Sequence, residues 1–561
     1  MKRFLLCLAL AAGLAAGAEV DLFVTDYNEN PRADQKPLAA RPVTHVGPQE
    51  VTIRTSDGKV VSYKAPGSAT VHRAVSGSAV REARLAAAPG EYEPFSFLLR
   101  PRQPLEEVFI TAGELRSADA VIPAENVVVA SVERFLGEGR DILMPLGHRW
   151  NMAAHSTEFF WCTIRVPDVA KPGTYTGEVK VTAKEGLVGS IAITLEVLPI
   201  QLADPPFALG YNYSSPKDAK ALALHLADMR AHGMTCVAPL YNFHLPVHDA
   251  DTSEFGQFIQ AYKKAGFPAP LFFAAPMGLQ LSELAGYGPE TSRRFQQKFI
   301  KTMRLLHAEA QKHGVPVLYS IGDELTNKGL EGVKIAGNLA RFAWEELPEM
   351  ALTSDMNGYM EVMAMAPWLN VATFNNGWDG ADHHNKGRTL INKAFIEELQ
   401  QKTGAIPWFV NAGTGRFPFG FFFWKMAKHG VRGKVEWYYN LRNERGSVVR
   451  THGDIVYPTL DYERSREGID DLKYLCRLEA LVAQAAKAGK AEAERKQAEE
   501  LLAGLAASIR DDWSAYTGGG AKFPPDGFDL LDPEKAAALG SLDALRRAVA
   551  DKIVALQNAM K

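Results

Sequence analysis

The sequence predicts a multidomain protein with an N-terminal antiparallel β-sandwich at 19–202, a central (β/α)8 barrel of the TIM type at 203–460 and a helical C-terminal region at 461–561. Three observations predict this order. Short alternating apolar segments fill the first part, strands alternate with helical patterns in the second, and only helical patterns follow. A chain of 561 residues is also too long for a single hydrophobic core.

Residues 1–18 match the pattern of a secretory signal peptide. Lys2 and Arg3 supply the basic start, 4–14 form an apolar centre, and the small residues 16–18 form a cleavage site before Glu19. No later run approaches the roughly 20 consecutive apolar residues of a membrane helix. We therefore expect an exported protein, periplasmic or secreted, without a membrane span.

Charge and cysteine content limit the partners and cofactors. A net charge of −3 gives no reason to expect a nucleic acid or an anionic membrane as partner. After the signal, Cys162, Cys236 and Cys476 lie far apart, which suits buried free thiols better than disulfides. No Cys/His cluster has zinc spacing, and 379–384 (DGADHH) is interpreted as a solvated loop. We expect no metal and no cofactor; the oligomeric state stays open.

Residues 19–202 contain the segments that predict the sandwich. Candidate strands are 51–54, 95–99, 108–111, 127–132, 159–166, 176–182 and 191–198. Proline and glycine punctuate them, as in 171–175 (KPGTY). Short strands with such turn signals are typical of an antiparallel sandwich. No nucleophile with a nearby base stands out in this part.

Residues 203–460 carry the strand–helix alternation. The predicted strands are 208–213, 234–241, 270–275, 315–321, 351–355, 370–374, 406–411 and 433–439, and helical patterns lie between them at 218–232, 253–265, 292–313, 333–347, 391–402 and 417–429. Several helices end at a glycine, such as Gly266 or Gly314. Eight strands over about 250 residues predict the barrel. The helical patterns 464–485, 491–509 and 533–560 are interpreted as a cap on it.

The most informative stretch is 315–328 (VPVLYSIGDELTNK). A short apolar run ends at Gly322, and two adjacent acids, Asp323 and Glu324, follow before a new helical pattern. The pair would end the fourth barrel strand, and active sites of such barrels sit at that end. An Asp-Glu pair is also favoured at any helix start. The buried strand and the barrel pattern make the catalytic interpretation the stronger one.

Adjacent acids suit one particular kind of glycoside hydrolysis. Successive strand residues point to opposite faces, so Asp323 and Glu324 are not expected to flank one bond as two carboxylates on separate strands do. They fit substrate assistance, in which the 2-acetamido oxygen of the sugar attacks the anomeric carbon. Glu324 would then be the general acid/base, and Asp323 would orient the acetamido group and stabilise the oxazolinium cation.

Aromatic and polar residues cluster at the other predicted strand ends. The candidate substrate-binding residues are Tyr211, Asn212, Tyr241, His244, Asp355, Asn357, Asn375, Asn376, Trp378, Asn411, Arg416, Trp437, Tyr438 and Tyr439. Turn preference explains the asparagines but not the repeated tyrosine and tryptophan. Aromatic faces stack on sugar rings, and the polar groups can hydrogen-bond hydroxyls, so we predict a carbohydrate pocket.

Several motifs together resemble bacterial glycoside hydrolase family 123. They are 90–95 (GEYEPF), 171–177 (KPGTYTG), the pair at 323–324, 457–458 (YP) and 464–471 (RSREGIDD). The resemblance covers most of the mature chain. It implies an exo-acting β-N-acetylgalactosaminidase in which Asp323 orients the acetamide and Glu324 is the acid/base. Many relatives carry proline after the pair, whereas this chain has Leu325.

Two other functions remain open at this stage. One is ordinary double displacement, with Glu324 as acid/base and Glu436, on the predicted eighth strand, as nucleophile. The other is a non-catalytic glycan-binding protein on a barrel scaffold, which the fold alone does not exclude. A substrate without the acetamido group separates the first from substrate assistance, and turnover separates both from binding.

Overall fold

A computed structural model gives the fold of the chain. It describes residues 20–28, 44–46, 49–54, 60–65, 69–71, 80–134, 141–241, 243–275, 285–376, 389–440, 447–452, 455–516 and 541–561. The predicted signal peptide and the 379–384 loop lie outside these ranges. The chain forms two compact units, one built mainly from 80–132 and 144–199 and the other mainly from 200–561.

The N-terminal part of the chain, up to Val197, is made of β-strands. The N-terminal strands of the chain are β1 Val20–Thr25, β2 Thr44–Val46, β3 Gln49–Arg54, β4 Val60–Ala65, β5 Ala69–Val71, β6 Glu82–Ala87, β7 Tyr92–Pro101, β8 Leu105–Ala112, β9 Leu115–Arg116, β10 Val121–Ile122, β11 Val127–Arg134, β12 Asp141–Pro145, β13 Trp150–Met152, β14 Glu158–Arg165, β15 Gly173–Ala183 and β16 Gly186–Val197. One sheet has the order β1-β7-β14-β11-β12, and another has β10-β9-β15-β16-β6 with β8 and β13 at its side.

Both sheets contribute to one hydrophobic core. Phe97, Phe160 and Cys162 of the first sheet share it with Val179 and Leu195 of the second. Most strand pairs are antiparallel, as between β15 and β16, whereas β16 and β6 run parallel. The prediction of antiparallel sheets in this part of the chain is confirmed.

The second unit contains an eight-stranded parallel sheet. Its strands are β17 Ala208–Ser214, β18 Ala238–Tyr241, β19 Leu271–Phe273, β20 Val317–Asp323, β21 Ala351–Asn357, β22 Val371–Asn375, β23 Ile406–Val410 and β24 Gly433–Glu436. They follow the order β18-β17-β24-β23-β22-β21-β20-β19. The Ala274 amide also donates to the Pro239 carbonyl over 3.1 Å, which brings the two outer strands together. The sheet is thus a nearly closed barrel, and Asp323 ends its fourth strand as predicted.

Helices surround this sheet and follow it. They are α1 Ala219–Ala231, α2 Ser253–Ala265, α3 Arg293–His313, α4 Gly329–Glu346, α5 Tyr359–Met365, α6 Lys393–Thr403, α7 Arg416–Phe419, α8 Phe421–Ala427, α9 Leu460–Ala488, α10 Glu492–Ser508 and α11 Leu542–Met560. A short hairpin, β25 Val449–His452 with β26 Ile455–Pro458, precedes α9. None of the described helices is long and apolar enough to cross a membrane.

The barrel interior is recognisable from one cluster of apolar residues. It includes Ala208, Cys236, Phe272, Leu318, Val371, Trp408 and Val435, which come from seven segments around the barrel. Residues at even spacing from these on each strand share the interior face, and the residues between them face the helices. This parity decides which strand-end residues can take part in a site at the barrel mouth.

The 464–471 motif lies on α9 and is buried throughout. Asp471 accepts from Arg416 of α7 over 2.7 Å and from Arg546 of α11 over 2.6 Å, and Arg546 also pairs with Glu467 at 2.8 Å. Position 468 requires glycine, because a Cβ there would lie 2.2 Å from the Arg416 carbonyl oxygen. The motif therefore fixes the C-terminal helices to α7 through buried ion pairs and close backbone contact.

Candidate active site

A bulge shapes the end of β20. Ser320 pairs with Thr353, but the next pair is Asp323 with Asp355, so β20 has one more residue than β21 in this interval. Leu318 belongs to the interior cluster, and Ser320 and Thr353 continue its face. The extra residue puts Asp323 on that face, beside Asp355. Both carboxyl groups therefore face the barrel interior.

Glu324 turns toward the same side. It adopts a left-handed backbone conformation, with φ 43° and ψ 47°, immediately after the strand ends. Its amide donates to the Asp355 carbonyl over 2.9 Å, and its Oε1 accepts from Asn375 Nδ2 over 3.1 Å. Asn375 lies on the interior face of β22, opposite Asn357 of β21. The expectation that the two acids point to opposite faces is wrong, because Glu324 has left the strand.

Burial sets the ionisation of these acids. It raises the pKa of Asp323 to about 6. It raises the pKa of Asp355 well above its usual range, and the carboxyl groups of Asp323, Glu324 and Glu361 add to that effect. Burial therefore favours the protonated form of Asp355, whereas Asp323 is ionised above about pH 6. Within the described residues, Asp355 Oδ1 has no hydrogen-bond partner.

Glu361 supports the acidic turn from α5 and was missed in the sequence. Its fully buried carboxylate accepts from the Leu325 amide over 2.6 Å and from the Asn357 amide over 2.8 Å. The Thr326 hydroxyl lies 3.1 Å from Glu361 Oε2, the oxygen that also accepts from the Asn357 amide. A single glutamate within the apolar segment 359–365 (YMEVMAM) is the only local signal of this role.

Two further predicted residues share the interior face. Asn212 stands four residues after Ala208 of the interior cluster, is buried, and has no partner for Oδ1 among the described residues. Trp437 packs against the same cluster and meets Tyr438 edge-on at 4.6 Å between ring centroids. The interior face therefore collects Asp323, Asp355, Asn357, Asn375, Asn212 and Trp437, with Glu324 turned toward it.

The tyrosines at 211 and 439 lie elsewhere, which corrects the prediction that they bind substrate. Tyr211 faces the helices, where its hydroxyl lies 3.0 Å from Ser465 Oγ and its ring stacks on Phe419. The Tyr439 hydroxyl donates to Asp228 of α1 over 2.8 Å. Both side chains are fully buried and hold the barrel to its helical layer.

Other predicted binding residues serve loops or ion pairs. Arg416 is buried against Asp471, as described above. Asn376 Oδ1 accepts from the amides of Leu390 and Ile391, each over 2.8 Å, and Asn411 Oδ1 accepts from the Trp437 amide over 3.0 Å.

His244 pairs with Asp249 of its own loop at 3.0 Å, and Tyr438 is buried with its ring edge-on to Trp437. Trp378 and the side chain of Tyr241 lie outside the described residues.

Glu436, the alternative nucleophile, also faces away from the interior. It pairs across the sheet with Tyr211 and so shares the helix-facing side. It forms a buried ion pair with Lys434 and accepts from the Ala412 amide over 2.7 Å. The geometry gives no support to a double displacement by Glu436. Among the described residues, no group of three or more His, Cys, Asp or Glu is arranged to hold a metal ion.

Known structures share this architecture. No protein-family model matches the sequence, and no curated protein matches it. A family 123 glycoside hydrolase from Clostridium perfringens, described with the hydrolysis of glycolipid glycans, aligns with a TM-score of 0.56 and 15% identity over 85% of this chain and 94% of its own.

More distant matches are also glycoside hydrolases. A family 39 enzyme from Bacteroides cellulosilyticus WH2 aligns with a TM-score of 0.35 and 12% identity over 62% of this chain and 77% of its own. A GH2 β-galacturonidase from Eisenbergiella tayi has a TM-score of 0.32 and 11% identity, covering 76% and 72%. The chain thus resembles in fold, over most of its length, the glycoside hydrolase family that its motifs resemble in sequence.

Proposed function

We propose that the protein is an exo-acting, retaining glycoside hydrolase that removes terminal β-linked N-acetylgalactosamine by substrate-assisted catalysis. The observation that carries the proposal is the turn at 323–324, which directs two adjacent acids toward one interior face. The fold shared with a family 123 glycoside hydrolase supports the reaction class. The choice of N-acetylgalactosamine rests on the sequence resemblance.

Each residue has a distinct part in this mechanism. Glu324 donates a proton to the glycosidic oxygen while the acetamido oxygen of the sugar forms a bond to the anomeric carbon and the aglycone leaves. The ionised Asp323 accepts a hydrogen bond from the acetamido N–H and stabilises the positive oxazolinium ring. Water then opens the ring at the anomeric carbon, and Glu324 takes its proton. Two inversions give net retention.

The neighbouring groups match these parts. Asn375 fixes the orientation of the Glu324 carboxyl through its hydrogen bond to Oε1. Asp355 lies beside Asp323, and burial together with the nearby carboxyl groups raises the pKa of Asp355, which favours its uncharged form next to Asp323. Asn212 and Asp355 each offer a buried polar oxygen toward the interior, and Trp437 offers an aromatic surface for a sugar ring.

Matched nitrophenyl glycosides test the proposal. We expect cleavage of the β-N-acetylgalactosaminide and none of the β-galactoside, which lacks the acetamido group. Glu324→Gln should lose turnover of natural glycosides but spare a good leaving group, which needs less acid help. Asp323→Asn should impair both. Cleavage of the plain galactoside refutes substrate assistance, and glycan binding without turnover favours a non-catalytic protein.

Export is proposed on the sequence alone, from the signal-like residues 1–18. The mature protein recovered from the periplasm or medium should begin at Glu19. A cell-associated protein that retains Met1 would contradict it.

A further inference from the structure

The carboxylate of Glu361 joins two strand ends that carry the acidic residues. Its Oε1 accepts from the Leu325 amide in the turn after β20, and its Oε2 accepts from the Asn357 amide at the end of β21. The Thr326 hydroxyl lies within reach of both Glu361 Oε2, at 3.1 Å, and the Asn357 carbonyl oxygen, at 2.9 Å. One buried side chain therefore couples the turn after β20 to the end of β21.

The turn needs such support because Glu324 is in the left-handed region, at φ 43°. A residue with a Cβ persists in that region only when its surroundings determine its conformation. The peptide before Glu324 is held by the bond from its amide to the Asp355 carbonyl. The peptide after it is held by the bond from the Leu325 amide to Glu361. Without the second bond, that peptide can rotate and move both catalytic side chains.

Fold stability alone does not favour a glutamate at this position. The Glu361 side chain is fully buried, and none of the described lysine or arginine side chains forms an ion pair with it. Burial raises the pKa of Glu361 to about 7, against the lowering effect of the amides of Asn357 and Leu325. A buried carboxylate without a cation is costly. What a carboxylate offers here is two oxygens that accept hydrogen bonds from the Leu325 and Asn357 amides at once.

We propose that Glu361 is a positioning residue, which holds the turn at 323–324 in the geometry that directs both acids toward the substrate. This inference rests on the proposed glycosidase function. Glu361 contacts no reacting atom in it and acts through the backbone of Leu325 and Asn357.

Glu361→Gln is the direct test, with Glu331→Gln as matched control. The amide of Gln has one acceptor oxygen, so its NH2 must face a backbone N–H, and the bond from either Leu325 or Asn357 is lost. We expect kcat to fall about 10- to 100-fold, the effect of a displacement near 1 Å, with little change in KM. Glu331, on α4, is 71% exposed in its side chain, and its variant should retain kcat.

The leaving group separates positioning from acid catalysis. Because Asp323 and Glu324 move together, Glu361→Gln should impair the nitrophenyl substrate and a natural glycoside to a similar degree, unlike Glu324→Gln. A purely structural role predicts a lower melting temperature with wild-type kcat in the folded protein, and that result overturns the proposal.

A second pair of variants decides the matter if Glu361→Gln does not fold. Thr326→Val removes one contact to Glu361 and should lower kcat severalfold, whereas Thr326→Ser should restore it. Equal kcat for Thr326→Val and the wild type would then overturn the proposal. The wild-type assay keeps the two claims apart, since its turnover tests the glycosidase function and the variant-to-wild-type ratio tests Glu361.

Discussion

Replacing Asp323 by Asn should make the folded protein more stable at neutral pH while it abolishes catalysis. The reason is the burial of the Asp323 carboxyl, which raises its pKa from 3.8 to about 6. At about 1.4 kcal/mol for each pH unit, this difference corresponds to about 3 kcal/mol at most. Asn has nearly the same shape and no charge, so it avoids that cost.

The sign of the effect depends on pH. A carboxyl whose pKa is raised on folding binds its proton more tightly in the folded state. Its contribution to the free energy of unfolding is therefore fully present below about pH 4 and is lost as the pH rises through about 6. Asp323→Asn should thus gain stability over the wild type at about pH 7.5 and gain almost none at about pH 4.

Scanning calorimetry at these two pH values measures the difference. In a unit of this size each kcal/mol raises the melting temperature by about 1 °C, so the variant should melt up to about 3 °C above the wild type at the higher pH. Asp551→Asn is the control, since Asp551 is 56% exposed in its side chain and pairs with Arg547, which is also exposed. A variant that melts below the wild type at neutral pH, or by the same margin at both pH values, would refute the reasoning.

Three other predictions rest on the buried acid Asp323 and on the buried ion pairs of Glu436 and Arg416. The acidic limb of kcat/KM should be centred near pH 6, because Asp323 must be ionised, and a limb near pH 4 in a pH–rate profile would contradict this. Glu436→Gln should keep most of its turnover but lose stability, by up to about 3–5 kcal/mol in denaturant unfolding, because Lys434 stays buried without its anion; a loss of kcat with stability unchanged would bring Glu436 into the chemistry. Arg416→Met should lower stability by a similar amount, about 3 kcal/mol or more, by depriving Asp471 of one partner, and should leave kcat of the folded enzyme unchanged.

The barrel could be predicted because its strands are short apolar runs separated by amphipathic helices with glycine ends. Gly266 and Gly314, for example, adopt the left-handed conformation just after α2 and α3. The same pattern located Asp323 at the end of the fourth strand, where the structure has it. These features depend on local composition and spacing, which the sequence displays directly.

The facing of strand-end residues could not be predicted in the same way. A strand in a parallel barrel is buried on both sides, so its sequence shows no polar–apolar alternation to identify the interior face. In β17, Tyr211 and Asn212 are adjacent and both buried, yet one binds Ser465 among the helices and the other faces the interior. Position at a strand end does not tell which side a residue faces, because alternation along the strand decides the side.

The bulge in β20 could not be predicted from the sequence either, and it decides the side on which the Asp323 carboxyl lies. In the structure Asp323 pairs with Asp355 across the sheet and shares its face. Without the bulge, Asp323 would lie on the opposite face of the sheet. The left-handed conformation of Glu324 then brings the second acid back to the side of the first. Two backbone irregularities thus bring toward one side two neighbouring acids that regular strand geometry would separate.

The residue after the pair shows how such a turn can be fixed. A proline at 325 would restrict its own φ but would offer no N–H. Leu325 leaves φ unrestricted and donates to Glu361, while its side chain is buried. The turn in this chain therefore depends on a hydrogen bond where a proline would use its ring. Leu325→Pro in this background would remove the donor and leave Glu361 Oε1 buried without it, so positions 325 and 361 have to be changed together.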